Sequence, residues 1–288
     1  MQNESVFFTV VYPQALPYFK DVCDSARSQT RKAFDVVVVN DGCDASVIKT
    51  QLLGLRSTII DSVGTIAGNR LLGIDYARQH HYKYLFFSDA DDTFTANRFE
   101  RTIDEFETSG ADIVVCNLNV ANEKCEPVIE CYFSAEIPYD TWIDAAFLSD
   151  KNIMGMSNTA LRVASVPNNI AVPDIPIVDW YLFTVLLING LRARYISDSL
   201  VNYRQYSANM IGITHFNVQN FRKLANHKMN HYRLLVENGY TQFVDLYSKT
   251  EQLSDLTDVE IQQILNKNLS IHKQPLWWQI ITGNNNNN

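Results

Sequence analysis

The chain has no Cys-x-x-Cys pair, and its five cysteines (Cys23, Cys43, Cys116, Cys125, Cys131) are an odd number. A disulfide framework or a zinc site is therefore not expected, and a reducing cytoplasm fits best. The first residues show no basic segment leading into an apolar run, so no secretory leader is expected. No apolar run approaches the roughly 20 residues that span a bilayer, which points to a soluble protein. Basic residues are outnumbered, 24 Lys and Arg against 32 Asp and Glu, leaving a formal charge of −8. A broad electrostatic grip on nucleic acid or anionic lipid is therefore not expected, although a local basic pocket for a diphosphate is compatible with this balance. No Gly-rich basic phosphate loop precedes Asp41, which removes the main support for a nucleotidyltransferase. Internal repeats are lacking too, and low complexity is confined to the terminal asparagines 284–288, which carry no assigned function.

What is present is the composition of an ordinary globular protein, with 46% hydrophobic and 19% charged residues over 288 positions. That length suits one large domain, or a domain with a helical extension. Residues 6–12 form a β-branched and aromatic run typical of a buried strand. Leu16, Phe19, Val22, Cys23 and Ala26 then fall at helical spacing up to Gln29. Residues 34–39 are a continuous apolar run stopped by Asn40-Asp41-Gly42, as a central parallel strand is stopped by a turn. Strand and helix alternate again through 57–60, 66–78, 84–87, a helix capped by Thr95, and 113–116. Repeated βα units imply a mostly parallel sheet of the Rossmann type with helices on both faces. Beyond residue 120 the pattern loosens. A hairpin is expected near 128–133, a helix near 139–148, another at 179–188, a strand at 192–196 and a long helix over 216–238. The paired Trp277-Trp278 within 275–281 either packs on the domain or makes a peripheral membrane contact, which would place the protein at the inner face of the membrane.

In open parallel sheets ligands collect at the C-terminal ends of the strands. Asp41 follows one buried strand, and Asp89, Asp91 and Asp92 follow another, so two chain-distant acidic groups can meet across one crevice. Asp89 and Asp91, two apart, project together from extended backbone, and a turn at Asp92 can bring in a third carboxylate. Hard oxygen ligands of this kind suit Mn²⁺ or Mg²⁺, which keep positions open for substrate phosphates. A solvated acidic turn that caps a helix is the alternative.

Several segments, in order, resemble glycosyltransferase family 2, whose members have the GT-A fold. Val10-Val11-Tyr12 and Ser25-Ala26-Arg27-Ser28-Gln29 are similar to the family's opening strand and first helix end. Val36-Val37-Val38-Val39-Asn40-Asp41-Gly42-Cys43-Asp44 resembles its strand ending in Asp-Asp-Gly-Ser, and Arg70-Leu71-Leu72-Gly73-Ile74 its Arg-Asn-x-Gly-Ile segment. Ser88-Asp89-Ala90-Asp91-Asp92 resembles its Asp-x-Asp motif, Val178-Asp179-Trp180-Tyr181-Leu182 its Glu-Asp-x-x-Leu segment, and Asn202-Tyr203-Arg204 the Tyr-Arg that follows.

The resemblance implies an inverting transferase that moves a sugar from a nucleotide-diphosphate sugar to a glycan or lipid-linked acceptor, in cell-surface polysaccharide synthesis. Tyr12 and Asp41 would contact the base and ribose, Arg70 the diphosphate or the sugar, and Arg204 the diphosphate side, with His215 a further candidate there. Asp89 and Ala90 would meet the donor, and Asp89, Asp91 and Asp92 the metal. Trp180 would stack on a sugar ring or fill core, and Asp179 would be the general base. Pro13, Asn40, Cys43, Leu71 and Val178 depart from the family pattern, which bears on nucleotide preference and on how the acceptor or base is positioned. A non-catalytic binding protein with the same fold is the competing reading, weighed against the intact Asp89, Asp91 and Asp179. A transferase domain is expected over residues 1–210, a helical extension over 211–283 and the tail over 284–288.

Overall fold

The computed structural model of the protein describes residues 3–206 and 217–271, with Leu276 and Gln279. The segment around His215, the Trp277-Trp278 pair and the terminal asparagines lie outside the described residues. Contacts divide the chain into two compact units, Met1–Ala146 with Met154–Asn209, and Phe147–Ile153 with Met210–Asn288.

The first unit is an α/β structure built on one sheet. Its opening elements alternate as the apolar runs require: β1 (Ser5–Val11), α1 (Phe19–Ser28), β2 (Phe34–Asn40), α2 (Ala45–Gln51), β3 (Ser57–Asp61), α3 (Ile66–Gln79) and β4 (Tyr84–Asp89). There follow β5 (Thr93–Phe94), α4 (Arg98–Ser109), β6 (Ile113–Ala121), β7 (Pro127–Ile129), β8 (Trp142–Ile143), β9 (Thr159–Arg162), α5 (Val178–Ile188) and β10 (Ala193–Arg204). The sheet runs β3-β2-β1-β4-β9-β6-β10-β5, with β7 beside β6 and β8 beside β10. β1, β2, β3 and β4 are mutually parallel, as continuous apolar strands buried on both faces should be. β9 is antiparallel to both β4 and β6, so two reversals restore the direction, and β10 is parallel to β6. The C-terminal ends of β1, β2, β4, β6 and β10 therefore share one edge.

α3 lies tightly on β1 because Gly73 has no side chain. A Cβ there would come within 2.7 to 2.9 Å of the Phe8 ring. Phe8 is itself pinned edge-on by Phe87 at 6.1 Å between ring centroids.

Three local expectations are corrected. The helix expected at 139–148 is not formed: Asp140 is left-handed, and Trp142 and Ile143 pair with β10 as an edge strand. Thr95 does not cap α4, which starts later behind Asn97. Its backbone N–H donates to the Leu200 carbonyl at 3.0 Å, and its hydroxyl accepts from the Leu200 N–H at 3.1 Å. The short strand expected at 192–196 continues to Arg204 across an irregularity between Ile196 and Leu200.

The second unit contains α6 (Val218–Glu237), α7 (Val244–Gln252) and α8 (Asp258–Ile271). Phe221, Ile261 and Leu265 form its core, with Val218, Leu253, Leu256 and Ile264 against them. α6 holds the Phe147–Ile153 segment by polar contacts: the Tyr232 hydroxyl donates to the Ser149 carbonyl at 2.7 Å, and Lys228 Nζ donates to the Asp150 carbonyl.

Candidate active site

Tyr12 follows β1, Asp41 follows β2, Asp89 ends β4 and Arg204 ends β10, so the shared strand edge gathers them. The register sets Val11 against Asn40 and Val10 against Asp89. The Asp41 N–H donates to the Val11 carbonyl at 2.8 Å and ties the first two strand ends together. Below it the turn locks itself. Asn40 Nδ2 donates to the Cys43 carbonyl at 3.0 Å, the Cys43 N–H returns to Asn40 Oδ1 at 2.8 Å, and Gly42 supplies the positive φ of 86°. Asn40, a departure from the family pattern, thus has a local task that its amide performs with both groups. Burial, and then the Asp41 charge, push the Cys43 thiol up.

Arg70, one turn before Gly73 on α3, pairs with Asp89 Oδ1. Its Nη1 is buried without a hydrogen-bond partner. The Asp89 N–H donates to Ser157 Oγ at 3.0 Å, and the same hydroxyl reaches Asp89 Oδ2 at 3.0 Å and Asp92 Oδ2. Asp91 is 7% exposed and takes a hydrogen bond from the Tyr206 hydroxyl at 2.7 Å. Burial, and then the charge of Asp89, raise its pKa. Two carboxylates this close favour a cation between or beside them. The Tyr12 hydroxyl shares the cluster, and burial, Asp91 and Asp89 hold it in its protonated form.

Asp92, expected as a third metal ligand, turns inward. It is 1% exposed, Oδ1 accepts the Arg204 N–H at 2.8 Å, and Oδ2 faces Ser157. Burial, and then Asp91 and Asp89, push its carboxyl well up. It holds the acidic turn to the end of β10. Arg204, expected at the diphosphate, is a buried bracket at 2% exposure. Nε donates to the Asp91 carbonyl at 2.6 Å, Nη1 to the Glu123 carbonyl at 2.5 Å and Nη2 to Asp21 Oδ2 at 2.8 Å, and the guanidinium lies 4.6 Å from the Tyr18 ring. Of the two roles open to Trp180, stacking on a sugar or filling core, its burial fits the second: it is wholly buried, because α5 is apolar all round and has no solvent face to present it from. Ala90 is buried as well, so only its backbone could meet a donor.

Asp179 stands in the first turn of α5, where its carboxylate accepts the Trp180 N–H at 2.8 Å. α5 packs on α3, the helix that bears Arg70. The Ala67 N–H, at the start of α3, donates to Asp174 in the approach to α5 at 3.4 Å. Two residues at the cluster escaped the sequence reading. Tyr206 lies two beyond Arg204, and that period of two in extended chain was the available signal. Ser157 sits in the irregular stretch before β9, where no periodicity marks it.

Among the described residues no group of three or more His, Cys, Asp or Glu is arranged to hold a metal ion. With Asp92 turned inward, Asp89 and Asp91 are the carboxylates left at the edge. A donor set of two hard oxygens fits an ion that completes its shell with water and phosphate.

A strand-end edge of this kind on a mixed α/β sheet is that of a GT-A glycosyltransferase. The chain belongs to glycosyl transferase family 2, whose model matches residues 7–156. Among solved structures, that of S. aureus TarS 1-349 in complex with UDP-GlcNAc is similar with a TM-score of 0.58 at 15% identity, over 95% of this chain and 74% of that one. The mannosyltransferase PcManGT from Pyrobaculum calidifontis, in complex with GDP-Man and Mn²⁺, gives 0.59 at 15% identity over 94% and 75%. GalNAc-T7 with UDP, GalNAc and Mn²⁺ gives 0.56 at 11% identity over 95% and 59%. No curated protein matches the chain in sequence.

Proposed function

We propose that the protein transfers a sugar from a nucleotide-diphosphate sugar to a glycan or lipid-linked acceptor, with inversion at the anomeric carbon. The observation that carries this reading is the meeting of Tyr12, Asp41, Arg70, Asp89 and Asp91 at one edge of the sheet. The solved structures with UDP-GlcNAc and with GDP-Man and Mn²⁺ have the same fold, which supports a nucleotide-sugar donor here.

In this reading Tyr12 offers a ring face to the base, and Asp41 accepts hydrogen bonds from base or ribose donors. Asp89 and Asp91 would hold Mn²⁺ or Mg²⁺, which when bound neutralises the diphosphate as the glycosidic bond breaks. Arg70, with one buried nitrogen free of hydrogen bonds, is placed to bind donor oxygens once Asp89 is engaged elsewhere. Asp179 takes the proton of the acceptor hydroxyl as its oxygen attacks. Work on cell-surface polysaccharide in the cytoplasm is the setting this chemistry fits. No helix among the described residues is long and apolar enough to cross a membrane.

Asp179→Asn tests the assignment of roles. Turnover should fall about 10²- to 10⁴-fold, the range for a lost general base, with the donor dissociation constant unchanged. Unchanged turnover, or donor binding lost in step with it, would contradict Asp179 as the base.

A further inference from the structure

Asp91 is met by a phenol. Tyr206 lies just past the end of β10, and its hydroxyl donates to Asp91 Oδ2 at 2.7 Å. The phenol is held from two sides. Its ring lies against Tyr18 at 4.9 Å between centroids, and the Tyr12 hydroxyl stands beside its oxygen. Tyr18 is fixed in turn: it donates to Glu123 Oε1 at 2.8 Å and carries the Arg204 guanidinium over its ring. The contact is thus a built one, linking the acidic turn to the chain that leaves β10.

A donated O–H and a divalent cation seek the same carboxylate lone pairs, and the positive end of the O–H dipole repels the cation. At 7% exposure Asp91 has little room to serve both. We propose that Tyr206 sets the affinity of the acidic edge for its divalent cation by occupying Asp91 until the ion displaces the hydroxyl. The inference rests on the reading of Asp91 as a cation ligand. It adds that the donor-free protein holds the ion weakly, and that a diphosphate, by supplying further oxygens to the ion, tips the exchange. Donor and ion then bind in a mutually reinforcing way.

Binding of Mn²⁺ alone to the full chain, followed by loss of the free-ion electron paramagnetic resonance signal, tests this without any turnover. Tyr206→Phe keeps the ring and removes the donor, and should bind Mn²⁺ about three- to tenfold more tightly than wild type, the span expected for one lost competing hydrogen bond. Tyr18→Phe, which keeps the Tyr206 hydroxyl, should bind as wild type does. Thermal unfolding of each variant verifies that it is folded. Wild type that binds Mn²⁺ while Tyr206→Phe binds it equally or more weakly would overturn the role of Tyr206 and leave the donor site standing. Silence from wild type and Tyr206→Phe alike, with UDP or GDP present as well as without, would remove Asp91 as a cation ligand, and this inference with it.

Discussion

At the scale of single residues, the position most exposed to test is one with no side chain. Gly73 lets α3 approach β1 until the helix backbone meets the Phe8 ring, and Arg70, one turn earlier on the same helix, reaches Asp89. In Gly73→Ala the added methyl would meet a ring that Phe87 prevents from yielding. Overpacking of this kind costs about 1–3 kcal/mol, so the unfolding midpoint should drop, and donor affinity should drop with it as Arg70 is displaced. A variant as stable as wild type with unchanged donor affinity would separate the helix position from the site. Side chains of the site were unequally legible in sequence. Asp41, Asp89 and Asp91 could be placed because their strands are unmistakable and strand ends are where ligands gather. Asp92 and Arg204 turn inward and Trp180 fills core, which sequence order does not reveal, because it is silent on which way a side chain turns once extended chain becomes a turn or a helix is buried on every side. Tyr206 and Ser157 contribute through contacts distant in sequence, Tyr206 to Asp91 and Ser157 to Asp89 and Asp92.

At the scale of elements, α6 carries the clearest pH dependence. Lys228, His231 and Tyr232 are buried on it. Burial, and then the Lys228 charge, push the His231 pKa down from its ordinary 6.5 to about 3. The unfolded chain therefore takes up a proton at His231 before the folded chain does. Stability from this group is lost as the pH falls from 6.5 towards 3. Lys228, lowered by burial to about 8, works in a separate window: the folded chain releases its proton first, so stability rises between pH 8 and 10.5. Replacing His231 by Phe should flatten the fall in unfolding midpoint between pH 6.5 and 4.5 relative to wild type, as measured by thermal circular dichroism. Parallel curves for the two proteins would contradict a buried, neutral His231. The βα alternation up to β6 was legible because each apolar run has the length and period of its element. The helix expected over 139–148 failed because a short apolar periodicity was outweighed by the left-handed Asp140 and by backbone pairing of Trp142 with Arg194 on β10. The length of β10 was hidden by its irregularity between Ile196 and Leu200, which breaks the period of two.

At the scale of the molecule, a net charge of −8 and a donor that is itself an anion set a physical requirement. Diphosphate must be drawn to an acidic protein at an edge that presents Asp41, Asp89 and Asp91, and Arg70 is the cation the structure pairs with Asp89 there. A divalent ion at Asp89 and Asp91, as proposed, would answer that requirement and would make donor and metal binding interdependent. Ligands that bind only the folded chain raise its unfolding midpoint. The decisive measurement is thermal unfolding of the full chain against UDP, GDP and their sugars, each with and without Mn²⁺, in wild type and in Asp91→Asn. A nucleotide-sugar site built on Asp89 and Asp91 should give a rise with one nucleotide series that depends on Mn²⁺ and vanishes in Asp91→Asn. No rise with any member of the panel, or a rise indifferent to both the metal and Asp91, would contradict it.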